Sequence, residues 1–247
     1  MTATALGQLR DFLQRYKAIQ TIADRATEKI ERLTAARFSV FDYCWPDEMA
    51  LSRLMAGLLD PCGRHGQQEL FLKLFVDGLN QKLELAGQEC LPTLDLRETI
   101  IETEVATSHI ENTRRRIDIL LANPNWVLAI ENKPWADEQT DQLSDYQNHL
   151  DKKYRSRRRE LVYLAGDYSS PKTEAPSQPV IRMGYHRGDL VGERHYFLSD
   201  WLAEARDRCP ADRVRHLLAD FGHWVATNFR PTFNLELEDK YNASRDD

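Results

Sequence analysis

Apolar residues recur every three or four positions from residue 5 to 34, at Leu6, Leu9, Leu13, Tyr16, Ile19, Ile22, Ala23, Ala26, Ile30 and Leu33. That spacing predicts one long amphipathic helix. Its apolar face is expected to pack on the body of its own chain, with a partner, including a second copy, as the alternative. A second helical pattern begins near Pro46 in PDEMALSRLMAGLLD, where Pro46, Asp47 and Glu48 suit a first turn. PCGRHG breaks it, and QQELFLKLFVDGLNQKLEL resumes the same period. The pattern then changes: TIIETEVATSHI, RRIDILLAN and WVLAIENK are short, rich in β-branched residues and separated by ENT and NPN turns.

A further helix is predicted from Asp137 to about Lys153, then a strand in ELVYLAG and a Ser/Pro-rich loop in YSSPKTEAPSQP. Residues 180–198 hold one more strand and a crossing segment, and two helices close the pattern in SDWLAEARDRC and RVRHLLADFGHWVATNF. A hairpin-linked set of strands followed by strand–helix–strand implies an α/β fold, a mixed central β-sheet flanked by helices, with an N-terminal helical extension. The chain divides on this reading into a helix at 1–36, a main domain at 37–230 and an acidic tail at 231–247.

Composition narrows the function classes. A 247-residue chain with 42% hydrophobic and 29% charged residues can build a large core. No apolar stretch approaches the roughly 20 residues a membrane span needs, and the first residues lack the pattern of a signal peptide. Cys44, Cys62, Cys90 and Cys209 form no CxxC pair, which predicts reduced, mostly buried thiols in a cytoplasmic protein. The net charge of −6 excludes an indiscriminate polycation. Basic residues nevertheless cluster at Arg114 to Arg116 and in KKYRSRRR at 152–159, either as a phosphate-binding face or as solvated loops. No Walker loop, GxGxxG, HExxH or GxSxG occurs.

The candidate chemistry lies where the third strand ends. The tripeptide Glu-x-Lys is common by chance, and the tail holds a second copy at Glu238-Asp239-Lys240. Position adds the information: Glu131 and Lys133, two apart on a strand, share one face. Asp118 interrupts the preceding apolar strand, where an acid is costly unless compensated. The NPN turn allows the two strands to pair, with Asp118 beside Glu131. Two adjacent carboxylates invite a hard cation, Mg²⁺ or Mn²⁺, with a lysine that positions or activates water for phosphodiester hydrolysis. The residues alone leave a second reading open, a polar strand end with a Glu–Lys salt bridge.

Asp118, then Glu131-Asn132-Lys133, then a helix carrying Gln142 and Tyr146 resembles the PD-(D/E)XK nuclease superfamily, with QLSDY similar to the QxxxY motif of its RecB-like branch. The segment DEMALSRLMAGLLDPCGRHGQQELFLKLF is similar to the N-terminal region of a bacterial subgroup with an LLDP…HG pattern. Ile117 stands where the family motif has proline. The resemblance implies a restriction-endonuclease-like core and a Mg²⁺- or Mn²⁺-dependent nuclease acting on DNA rather than RNA. It implies Asp118, Glu131 and the Asn132 carbonyl as metal ligands, Lys133 beside the attacking water, Glu48 as an accessory acid, and Gln142 and Tyr146 as orienting groups. The expected backbone contacts are Arg115, Arg116, Lys152, Arg157 and Arg158. Glu102, Glu104, His65, Trp126 and Trp135 are secondary candidates with ordinary structural alternatives. A catalytically silent binding module on the same fold is the rival reading.

Overall fold

The alternation of buried and turn-forming residues between 99 and 133 produces a meander of three antiparallel strands: β1 (Ile100–Ala106), β2 (Arg116–Ala122) and β3 (Trp126–Lys133). Every residue of β3 is buried, as expected for a central strand covered on both faces. β4 (Arg158–Ala165) and β5 (Ile181–Gly184) continue the sheet in parallel, in the order β1-β2-β3-β4-β5. The sheet is therefore mixed. The β2–β3 turn is pinned by Asn123, whose amide donates to the Asp95 carbonyl and to Thr99 Oγ1, both at 3.1 Å.

The computed structural model describes residues 3–35, 38–107, 115–135, 141–166, 179–186 and 196–229. The chain divides into two compact units, Met1–Tyr43 and Cys44–Asp247. The first holds a single 32-residue helix, α1 (Ala3–Thr34). The short α2 (Phe41–Cys44) follows it. In the second unit, α3 (Glu48–Leu59) packs on β1, β2 and β3, and α5 (Gln142–Lys153) packs on β3 and β4. α4 (Leu70–Leu85) joins β5 to α6 (Leu198–Arg208), which pairs with α7 (Asp212–Asn228). Trp201 of α6 donates its indole N–H to the Phe71 carbonyl of α4 at 2.9 Å, fixing that contact inside the core.

Four expectations change. Pro46 stands outside α3; Asp47 is the N-cap and accepts the Ala50 N–H at 2.7 Å. The helix expected from Asp137 begins at Gln142, because Asp141 is left-handed at φ 62° and cannot be an interior helical residue. Residues 136–140, Arg114 and the tail at 231–247 lie outside the described residues. The basic run 152–159 is not one loop: Lys152 and Lys153 end α5, and Arg158 and Arg159 begin β4. All four cysteines are free, but of these only Cys209 is buried, since Cys44 and Cys62 fall in a short helix and a turn at the surface.

Candidate active site

β3 delivers Glu131 and Lys133 on the face covered by α5. The register of β2 against β3 pairs Ile119 with Ile130, so Asp118 stands one rung further, opposite Glu131. The β1–β2 ladder is interrupted at the same level, between Thr103↔Ile119 and Val105↔Ile117, where Glu104 adopts φ 57°. Asp118 uses its carboxylate at this point: Oδ2 accepts the Asn132 backbone N–H at 2.7 Å. The first residue of α3 completes the group. Glu48 Oε1 lies 2.7 Å from Lys133 Nζ, and Glu131 Oε1 lies 2.6 Å from the same ammonium.

Lys133 therefore bridges two acids, while a third stands beside them. Burial alone would lower the Lys133 pKa, but Glu131, with Glu48 and Asp118 behind it, outweighs burial and raises it, so the amine is an ammonium. Burial pushes the Asp118 carboxyl up to about 8, and the neighbouring Glu131 charge adds to it; the Asn132 N–H and Lys133 offset part of this. Burial raises Glu131 as well, against the pull of Lys133. Both Glu131 oxygens are sealed from solvent, and neither receives a well-directed hydrogen bond despite the close ion pair. Tyr146 stands near it, yet its one hydroxyl proton goes to the Arg116 carbonyl.

One ligand atom from each of Glu48, Asp118 and Glu131 can be chosen so that all lie within 4.8 Å of one another. With all three carboxylates ionised against one ammonium, the group carries a charge of −2, which a single divalent cation cancels. The sealed Glu131 carboxylate and the all-oxygen donor set fit Mg²⁺ or Mn²⁺ and give no purchase to a soft ion.

Asn132 points to the opposite face of the sheet. Its Nδ2 donates to Ser52 Oγ at 2.9 Å, and its Oδ1 accepts the Tyr185 hydroxyl at 2.5 Å. This clamp ties α3 to β3 and so fixes Glu48 over the strand end. Sequence reading missed both partners. Ser52 carries a faint signal, one helical turn after Glu48; Tyr185, 53 residues from Asn132, carries none.

The remaining candidates separate by position. Gln142 and Tyr146 are buried in the first turns of α5, and Gln142 Nε2 donates to the Tyr146 hydroxyl at 2.9 Å. Arg115 pairs with Asp145 at 3.0 Å, half-hidden against α5. Arg116, 60% exposed, faces Glu104 at 3.6 Å. Arg157 and Arg158 are elsewhere: Arg158 pairs in register with Trp126, at the start of β3, and so lies about 23 Å along the strand from Lys133. Lys152 ends α5, away from Gln142. His65 receives the Gln67 N–H on Nδ1 and gives its Nε2 proton to the Asp60 carbonyl, which makes it a loop staple. Trp126 is core, donating to the Pro92 carbonyl, and Glu102 is exposed. Trp135 is 58% exposed against Trp224 and Phe229.

The model of one known family, described as the PD-(D/E)XK nuclease superfamily, matches residues 38–221. The chain belongs to that superfamily. No curated protein and no solved structure matches the chain at a significant level. The PD-(D/E)XK match encloses Asp118, Glu131 and Lys133 together with Glu48, Gln142 and Tyr146. It begins beyond α1. No helix among the described residues is long and apolar enough to cross a membrane.

Proposed function

We propose that this chain is a divalent-metal-dependent nuclease that hydrolyses phosphodiester bonds in DNA, with Mg²⁺ or Mn²⁺ as its ion. The observation that carries the reading is the trio Glu48, Asp118 and Glu131, gathered within 4.8 Å around a buried Glu131 carboxylate whose oxygens are sealed from solvent. Asp118 and Glu131 hold the ion, with Glu48 and the Asn132 carbonyl as supporting donors. Bound there, a divalent cation supplies Lewis-acid polarisation of the scissile phosphate and an acidified water.

The chain's own groups do the rest. Lys133 is an ammonium in this arrangement, so it works as a fixed positive charge rather than as a base. It stabilises the charge that develops on the phosphorus oxygens as the leaving oxygen departs. The Gln142–Tyr146 pair fixes the α5 end of the site, and supports placement in the RecB-like branch. Arg116, exposed at the same end of the sheet, is the phosphate contact with the strongest support; Arg115 orders α5 through Asp145. Four free thiols support a reducing compartment such as the cytoplasm.

The test is purified protein with linear, nicked and single-stranded DNA and with RNA, plus Mg²⁺ or Mn²⁺, beside Lys133→Ala and Asp118→Ala. Cleavage of DNA by the wild type and loss in both variants is expected. Persistent cleavage in both variants would overturn the site. Calorimetric Mn²⁺ binding that depends on Glu131, with no cleavage of any substrate, would establish the binding-module reading instead.

A further inference from the structure

The long N-terminal helix carries a stricter repeat than general amphipathicity requires. Ala5, Leu9, Phe12, Tyr16, Ile19, Ala23, Ala26, Ile30 and Leu33 fall in unbroken alternating steps of four and three. These are nine successive positions of a heptad seam, with Leu9, Tyr16, Ala23 and Ile30 at a and Ala5, Phe12, Ile19, Ala26 and Leu33 at d. No polar residue interrupts them. A 3.5-residue period held over four heptads keeps one stripe facing a partner helix and drives left-handed supercoiling. The outer positions b, c and f are filled by Arg10, Asp11, Gln14, Lys17, Asp24, Glu28 and their like.

Within its own unit, the described part of that seam is uncovered. Phe12, Tyr16, Ile19 and Leu33 are 56–88% exposed, as is Ile22 beside the seam at 68%. At roughly 150–250 Å² per large side chain, the stripe presents an area on the order of the 800 Å² per partner that a stable interface buries. A 32-residue helix gains little from propensity alone and depends on such packing.

We propose that α1 pairs with α1 of a second copy as a parallel two-stranded coiled coil. The flanking residues select this occupant. In a parallel pair each g residue faces the e residue five positions on: Gln8 with Leu13, Arg15 with Gln20, Ile22 with Thr27 and Lys29 with Thr34. No like charges meet, and two of these contacts add apolar area to the seam. Of the two antiparallel registers that keep eight seam positions paired, the one setting Leu9 against Leu33 faces Arg15 with Lys29 twice and the one setting Ala5 against Ile30 leaves Leu33 outside the seam, whereas the parallel pair keeps all nine. The e and g positions carry no acid, so a self-pair needs no complementary partner charge. The inference does not depend on the nuclease reading, because the helix lies outside residues 38–221.

The experiment is sedimentation equilibrium of the full chain, with and without Phe12→Asp/Ile19→Asp. The wild type is expected at twice 28.7 kDa at micromolar concentration. The double variant is expected as a monomer whose main unit melts unchanged. A monomeric wild type overturns the proposal, as does a dimer that survives both aspartates. Orientation is read from Leu33→Cys in a Cys44→Ser background: mild oxidation is expected to cross-link two copies at position 33. A dimer that does not cross-link there would refute the parallel arrangement. Higher oligomers would refute the two-stranded one.

Discussion

The two ends of β3 differ in charge and in how fully that charge is met. At the Trp126 end, Arg158 gives its protons to Glu160 and to the Glu89 and Cys90 carbonyls, Arg157 to the Asn123 carbonyl, and Arg159 pairs with Asp151. At the Lys133 end, three acids crowd one ammonium and two buried oxygens lack hydrogen bonds. At one end each guanidinium meets an acid or a backbone carbonyl, and at the other three acids share one ammonium. Charge density alone misleads here, because the basic run is conspicuous in sequence yet spent on loops. A buried excess of like charge is the better pointer to chemistry.

The contrast breaks most decisively through activity. Lys133→Ala or Asp118→Asn is expected to lower the cleavage rate about a thousandfold or more, roughly 4 kcal/mol of transition-state stabilisation. Steady-state cleavage of labelled DNA checks this, and a loss under tenfold would show that the acidic end is not the reacting centre.

Next comes pH. Asp118 ordinarily titrates near 3.8 and does so at about 8 in the metal-free fold, so the folded state binds its proton more tightly than the unfolded chain. Raising pH from about 4 to about 8 therefore weakens the metal-free fold, on the order of a few kcal/mol at the top of the window. Glu131 is shifted in the same direction, and Lys133 stays charged throughout, adding no slope. Melting curves at pH 5 and pH 8 should show the drop, Mn²⁺ should reverse it, and Asp118→Asn should flatten it.

Arg158→Met probes the closed end. It strands Glu160 and two carbonyls, so a loss of about 2 kcal/mol in denaturant unfolding is expected. The cleavage rate per folded molecule should move less than threefold. A large catalytic loss with unchanged stability would erase the distinction between the two ends. Tyr185→Phe removes the hydroxyl from Asn132, with about 1 kcal/mol expected in stability. A fall in kcat at steady KM is the signature of a displaced Glu48. The smallest effect is expected from Trp135→Ala. If its exposed ring stacks a base, single-stranded DNA binding weakens by about 1 kcal/mol, a few-fold in Kd by fluorescence anisotropy.

Much of the acidic end was legible. A strand of eight residues with an NPN turn before it sets the pairing, and the two-residue period then puts Asp118, Glu131 and Lys133 on one face. The QxxxY spacing likewise places Gln142 and Tyr146 together without tertiary information. Other features depend on long-range register. The place of the basic run was not legible, because only the parallel β3–β4 alignment shows Arg158 opposite Trp126. The Asn132 clamp joins residues 80 and 53 positions away. Asp141 is a plain aspartate in sequence, and its left-handed turn follows from how α5 must meet the strand ends.

The position of Lys133 also bears on the order in which the molecule is made. Held between Glu131 and Glu48, the ammonium is a tethered positive charge that meets part of the acids' negative charge. On the proposed metal-binding reading, a chain folded around this ion pair takes up its ion by exchange rather than as a nucleating event. Chelators should then silence the protein and leave it folded, ready to be recharged.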